Sequence, residues 1–211
     1  DRGAHVIRQA ISPPVSPSTA VWPGSPPLER RMEKSLDDGD GYDLSTVVST
    51  VHIGAHADAP SHFGPGRPGI DAVDPNRYLG PCRVVHAEVG PRGLIGPDVL
   101  PAPIDAPRLL FRTDTFPDPD VFTEDFAAFA PELVDTAADA GVVLMGIDTP
   151  SVDPFESTEV PTHHRMLQRD VVGLEGLDLT GVAPGRYTLV ALPLRLVGFD
   201  ASPVRAVLLD P

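Results

Sequence analysis

The chain has 211 residues, 41% hydrophobic and 22% charged, with 16 basic against 30 acidic side chains for a formal charge of −14. Length and composition suit one soluble globular domain spanning residues 1–211. The acidic balance repels phosphate backbones and anionic lipid, which argues against nucleic acid and membrane as partners.

Cys82 is the only cysteine, so no intramolecular disulfide forms. No basic segment leads into an apolar run at the start, and no apolar stretch approaches the ~20 residues that span a bilayer. A cytoplasmic location is the expectation, although the first residue, Asp1, leaves upstream residues and a cleaved signal open.

The 19 glycines and 26 prolines read as many turns joining short strands. In chain order, His5 to Ile11 predicts a strand and Ser12 to Ser18 a Pro- and Ser-rich turn. Val21-Trp22-Pro23-Gly24 is an exposed bend carrying the only tryptophan, and Asp37 to Gly41 is a polar turn. The β-branched run from Asp43 to Ile53 predicts a strong strand. Gly64 to Gly69 is a loop. Further strands are expected at Arg83 to Val89, Arg108 to Arg112, Val142 to Ile147, Tyr187 to Leu192 and Val204 to Leu209. Pro131 to Ala140 predicts a helix ended by Gly141, and a shorter one runs from His163 to about Arg169 with Thr162 as N-cap. The class is α/β with a central, mostly β core and few helices.

Three of the seven histidines fall in the eleven positions from His52 to His62. His52, His56, Asp58 and His62 all carry even numbers, with only Gly54 and Pro60 at the even positions between them, so an extended backbone projects all four to one side. Two imidazoles and a carboxylate converging in this way form the first shell of a catalytic divalent metal with a position open for water. The donor set lacks a thiolate and suits zinc, with manganese or iron as alternatives. The plainer reading is a strand end with solvated histidines.

This segment resembles the H-x-G-[T/A]-H-x-D-x-P-x-H signature of the cyclase family of metal-dependent hydrolases, which includes bacterial kynurenine formamidases and isatin hydrolases. Trp22-Pro23-Gly24, YLGPCRVVH, GIDTPSVDP and LEGLDL from Leu174 resemble it as well, and the C-terminal run ALPLRLVGFDASPVRAVL is similar to the formamidase branch. The resemblance implies a swivelling β/β/α domain and a homodimer. It also implies a second metal, because the family pattern adds a histidine and a glutamate twelve residues apart, matched by His163 and Glu175. One ion then belongs to His52, His56 and Asp58, and the other to Asp58, His163 and Glu175, with Asp58 bridging. The expected cofactor is two zinc ions per subunit, or manganese.

The implied reaction is hydrolysis of N-formyl-L-kynurenine to L-kynurenine and formate in tryptophan breakdown. His62 is then the proton-transfer residue, the opposing view making it another ligand. Trp22 receives the substrate's aromatic ring, or else plugs the domain surface. No residue accounts for the substrate's amino-acid end. Cys82 reads as a buried, inert thiol, His164 points away from His163's face, and His5 and His86 read as structural. Two alternatives are a related hydrolase opening a cyclic amide or lactone, and a non-catalytic module stabilised by a metal.

Overall fold

A computed structural model describes residues 7–211, so His5 and the start of the first expected strand lie outside the described residues. In chain order the strands are Ile7–Ala10 (β1), Glu29–Lys34 (β2), Leu44–Val48 (β3), His56–Asp58 (β4), Leu79–His86 (β5), Leu94–Ile95 (β6), Arg108–Arg112 (β7) and Ala128–Phe129 (β8). Leu144–Ile147 (β9), Val172–Glu175 (β10), Gly185–Val190 (β11), Ala201–Pro203 (β12) and Val207–Leu209 (β13) complete them. Three α-helices are described: Pro60–Phe63 (α1), Pro131–Asp139 (α2) and Pro161–Gln168 (α3).

Nine strands form one mixed sheet in the order β1-β13-β11-β5-β7-β9-β10-β4-β12. Its centre, β5-β7-β9-β10, is parallel, and its flanks are antiparallel. Apolar stretches within the central strands are covered on both faces. Val84, Leu110 and Leu144 point into one core, together with Leu174 and Leu189. Val85, Leu109, Phe111, Met145 and Ile147 point into the other, which α2 covers with Leu133, Val134 and Ala137. Gly141, at φ +87°, ends α2 in the left-handed region, as the sequence predicts. Phe111 is fully buried and meets Phe129 edge-on, with centroids 5.0 Å apart. Phe111→Ala is expected to cost about 3–5 kcal/mol, read as a lower denaturant midpoint at unchanged slope.

The β-branched run after Asp43 departs from expectation. Only Leu44–Val48 is a strand, and it pairs with Glu29–Lys34 in a separate two-stranded hairpin exposed along both strands. Strand propensity is satisfied there without burial, and residues 51–55 are bends rather than a continuation. The backbone from 52 to 62 is therefore not extended: Gly54 has φ +56°, β4 spans three residues, and His62 sits on α1. Thr162 does not cap α3; Val160 is at the N-cap position, and the Thr162 hydroxyl donates to the Phe129 carbonyl.

Candidate metal centre and cleft

Strand alternation on β4 turns Ala57 into the core and leaves His56 and Asp58 on the opposite face. β10 runs antiparallel beside it with Glu175 directly opposite His56. Gly176 lets the chain turn away at once: it has φ +63°, and a Cβ there would lie 2.3 Å from the Gly54 carbonyl oxygen. The bend before β4 brings in His52, and the first turn of α3 brings in His163. On the other side of β4, Ala201 of β12 pairs with Asp58, which holds the preceding Asp200 at the rim.

Asp58 lies between two sets of donors. His52 Nδ1 is 3.0 Å and His56 Nε2 3.6 Å from its Oδ1, while His163 Nε2 is 3.6 Å from its Oδ2. Glu175 Oε2 is 3.2 Å from His56 Nε2, and its Oε1 is 3.0 Å from His163 Nε2. His52, His56 and Asp58 can offer three ligand atoms within 4.8 Å of one another, as can Asp58, His163 and Glu175.

The outward nitrogens are all engaged. His52 Nε2 is hydrogen-bonded to Asp200 Oδ2 at 3.0 Å, His56 Nδ1 to the Gly54 carbonyl at 2.9 Å, and His163 Nδ1 to Asp153 Oδ2 at 2.7 Å. Asp153 also accepts from the backbone N–H groups of Thr162 and His163, so one carboxylate caps α3 and fixes its histidine. Such outer partners set ring orientation and tautomer, leaving the inner nitrogen as a donor to a cation. His56 Nε2 and Asp58 Oδ1 are buried without a hydrogen-bond partner. Buried polar atoms are rarely left so, and these two face the other donors without being in line with them. That arrangement, and a donor set of imidazoles and carboxylates, fits a divalent cation.

The electrostatics match. Burial alone would lower the pKa of His52, but Asp58 and Asp200 push it up to about 9. Burial opposes charge on His163 too, yet Asp153, Asp58 and Glu175 hold its pKa well above the ordinary imidazole value. Burial would raise Asp58, but the imidazoles of His163 and His52 hold it well below the usual carboxylate range. An entering cation must displace protons from these rings. Zinc titrated into metal-stripped protein at pH 7 is expected to release about one proton or more, read by calorimetry in buffers of different ionisation enthalpy. A heat independent of buffer would contradict this. In the metal-free chain the His52 ion pairs stabilise the fold fully below about 6.5, and that contribution fades as pH rises through about 9.

These groups lie in a cleft of about 670 Å³ whose walls include Trp22, Phe63, Phe116 and Phe122. Trp22 is half-buried against Phe122, Phe126 and Phe155, with centroids 5.6, 6.2 and 5.1 Å away. His62 also lines the cleft, its ring tilted against His52 at 4.2 Å, and burial lowers its pKa. Among the described residues no Lys or Arg lines the cleft.

The family profile described as "Putative cyclase" matches residues 10–154. The kynurenine formamidase of Bordetella petrii is 47% identical over 201 residues, covering 94% of this chain and 95% of its own. The chain belongs to the cyclase family. A "predicted metal-dependent hydrolase" from Bacillus stearothermophilus superposes with a TM-score of 0.81 at 29% identity, covering 99% of this chain and all of the other. Isatin hydrolase A of Ralstonia solanacearum shares the fold, with a TM-score of 0.80 at 22% identity over 96% and 91% of the two chains.

All five residues expected as ligands in this cyclase-family chain come together, and His62 and Trp22 face the same cleft. His164 is exposed, and Cys82 is buried with its thiol pushed up to about 12 by burial. His86 stands 3.3 Å from Asp114 on the parallel part of the sheet. Phe63 stacks on His163 at 3.9 Å and lines the cleft. Sequence reading missed Asp153, Asp200, Phe116 and Phe122. Asp153 lies in GIDTPSVDP and Asp200 in the C-terminal run, but neither stretch has a spacing that singles out one carboxylate.

Proposed function

We propose that the chain is a kynurenine formamidase, hydrolysing N-formyl-L-kynurenine to L-kynurenine and formate in tryptophan breakdown. The observation that carries this reading is 47% identity to a kynurenine formamidase across almost the whole of both chains. In this reading His52, His56 and Asp58 hold one divalent ion, and Asp58, His163 and Glu175 a second, with Asp58 serving both. Zinc suits the donors and manganese is the alternative. Metal held there acidifies water and polarises a carbonyl oxygen, answering the resonance that protects an aryl formamide.

The chain's own residues do the rest. Trp22 and Phe122 offer flat apolar area for the aniline ring, which turns the formamide towards His62. Burial keeps His62 neutral near pH 7, so its imidazole accepts a proton from the attacking water. The same nitrogen then gives that proton to the anilinic nitrogen as the C–N bond breaks, releasing formate and the free amine.

The exposed hairpin β2–β3 supports a homodimer, since two strands alone are marginal and Val47 is 69% exposed. Light scattering after size exclusion tests that state. One domain over the whole chain and a cytoplasmic location complete the reading.

Purified protein assayed side by side with N-formyl-L-kynurenine and isatin tests the activity. Release of kynurenine is the expected result. Ring opening of isatin without release of formate from N-formyl-L-kynurenine would reassign the chain to isatin hydrolase chemistry. Bound metal without hydrolysis of either would leave a metal-stabilised module.

A further inference from the structure

Every ligand-type histidine in the centre has a private outer partner except His52. Its partner, Asp200, also faces His62: Asp200 Oδ2 is 3.0 Å from His52 Nε2 and 3.3 Å from His62 Nδ1. Among the described residues no other carboxylate comes within ion-pair range of His62. Asp200 is itself held by the sheet, because its backbone carbonyl accepts from the Ala59 N–H at 2.8 Å, just past the end of β4. The next residue, Ala201, pairs with Asp58. The carboxylate is therefore built on the strand beside the centre, not on a free loop.

A neutral imidazole carries its proton on one nitrogen only, and its hydrogen-bond partner decides which. A carboxylate facing Nδ1 stabilises the Nδ1–H form and leaves Nε2 as the proton acceptor. The contact at 3.3 Å is long, as contacts to catalytic groups often are before substrate is bound. We propose that Asp200 is the positioning residue of the reaction, one carboxylate that fixes the tautomer and orientation of His62 while orienting His52 on its other side. The proton-accepting nitrogen of His62 and the inner nitrogen of His52 are thereby set by a single oxygen. This ties the acid–base group to the centre where water is activated.

The kinetic part of this proposal rests on the formamidase reading, and its spectroscopic part does not. In zinc-saturated protein, with metal content checked by elemental analysis, Asp200→Ala is expected to lower kcat about 10- to 100-fold. KM should change by less than about threefold, because the loss is confined to the chemical step. Added to His62→Ala at full metal loading, the same change should lower kcat clearly less than it does in the unaltered chain, since the part acting through His62 is gone and only the part acting through His52 remains. Asp200→Asn, matched in size, guards against misfolding and should lose activity similarly.

Long-range nitrogen–proton correlation spectra of labelled protein, with His62 assigned through His62→Ala, should show the Nδ1–H tautomer in the unaltered chain. Asp200→Ala should shift it to Nε2–H. Unchanged kcat at full metal loading, losses that multiply in the double variant, or one tautomer with and without Asp200 would each overturn the proposal. If the unaltered chain leaves N-formyl-L-kynurenine intact, the formamidase reading fails while the tautomer still decides the role of Asp200.

Discussion

His62→Ala is expected to lower turnover of N-formyl-L-kynurenine by about 10²- to 10⁴-fold while leaving bound metal unchanged, the range associated with losing one general acid–base group. Both halves follow from the position of His62. Its ring lies against His52 but outside the two donor groups that share Asp58, so its removal leaves all five donors in place. It is also the most exposed of the cleft's imidazoles, with a pKa lowered by burial.

The pH dependence follows with a definite sign. Proton acceptance needs the neutral ring, so kcat/KM should fall as pH drops through the depressed pKa of His62. The acid limb then lies below the ordinary imidazole midpoint of 6.5. An alanine variant that loses metal in elemental analysis would make His62 a ligand instead.

Asp58→Ala should have the larger effect: loss of metal and a fall in activity of at least about 10³-fold, more than removing a single electrostatic donor typically costs. Asp58 is shared by the two groups of converging donors that contain the five expected ligands, while His52 joins the first of them to a third group with His62 and Asp200. The two oxygens of Asp58 face different histidines, Oδ1 towards His52 and His56 and Oδ2 towards His163. Without it the raised pKa of His52 loses its principal support, so the remaining rings bind protons less tightly and have no central anion to hold a cation. Asp58→Asn keeps the shape and removes the charge, and it should also lose metal. Retention of full metal content by both variants would mean that Asp58 is not the shared ligand.

The parallel strands are the most legible part of the fold, because Leu109–Phe111 and Leu144–Ile147 are buried on both faces and read as short unbroken apolar runs. The run from Asp43 misled because propensity reports fitness for a strand and not which sheet receives it. Its partner, Glu29–Lys34, is too polar to announce a strand by pattern. The side chains of the HIGAHAD segment, His52 to Asp58, do converge, but not through an extended backbone. Only His56 and Asp58 share a strand face; Gly54 and α1 supply the rest by turning the chain.

Only resemblance to the family points to His163 and Glu175, since a helix and a strand meeting in space leave no periodic trace. Asp153 and Asp200 stayed hidden for a similar reason. Each is defined by the histidine it faces, 10 and 148 residues away along the chain.

In the proposed reading, imidazoles and carboxylates around Asp58 hold a cation on which hydrolysis depends. Its most direct test is to strip the purified protein with a chelator, measure residual metal by elemental analysis, and assay N-formyl-L-kynurenine before and after zinc or manganese is restored. Activity should vanish with the metal and return with it, in proportion to occupancy. Full turnover by protein proven free of metal would contradict the account.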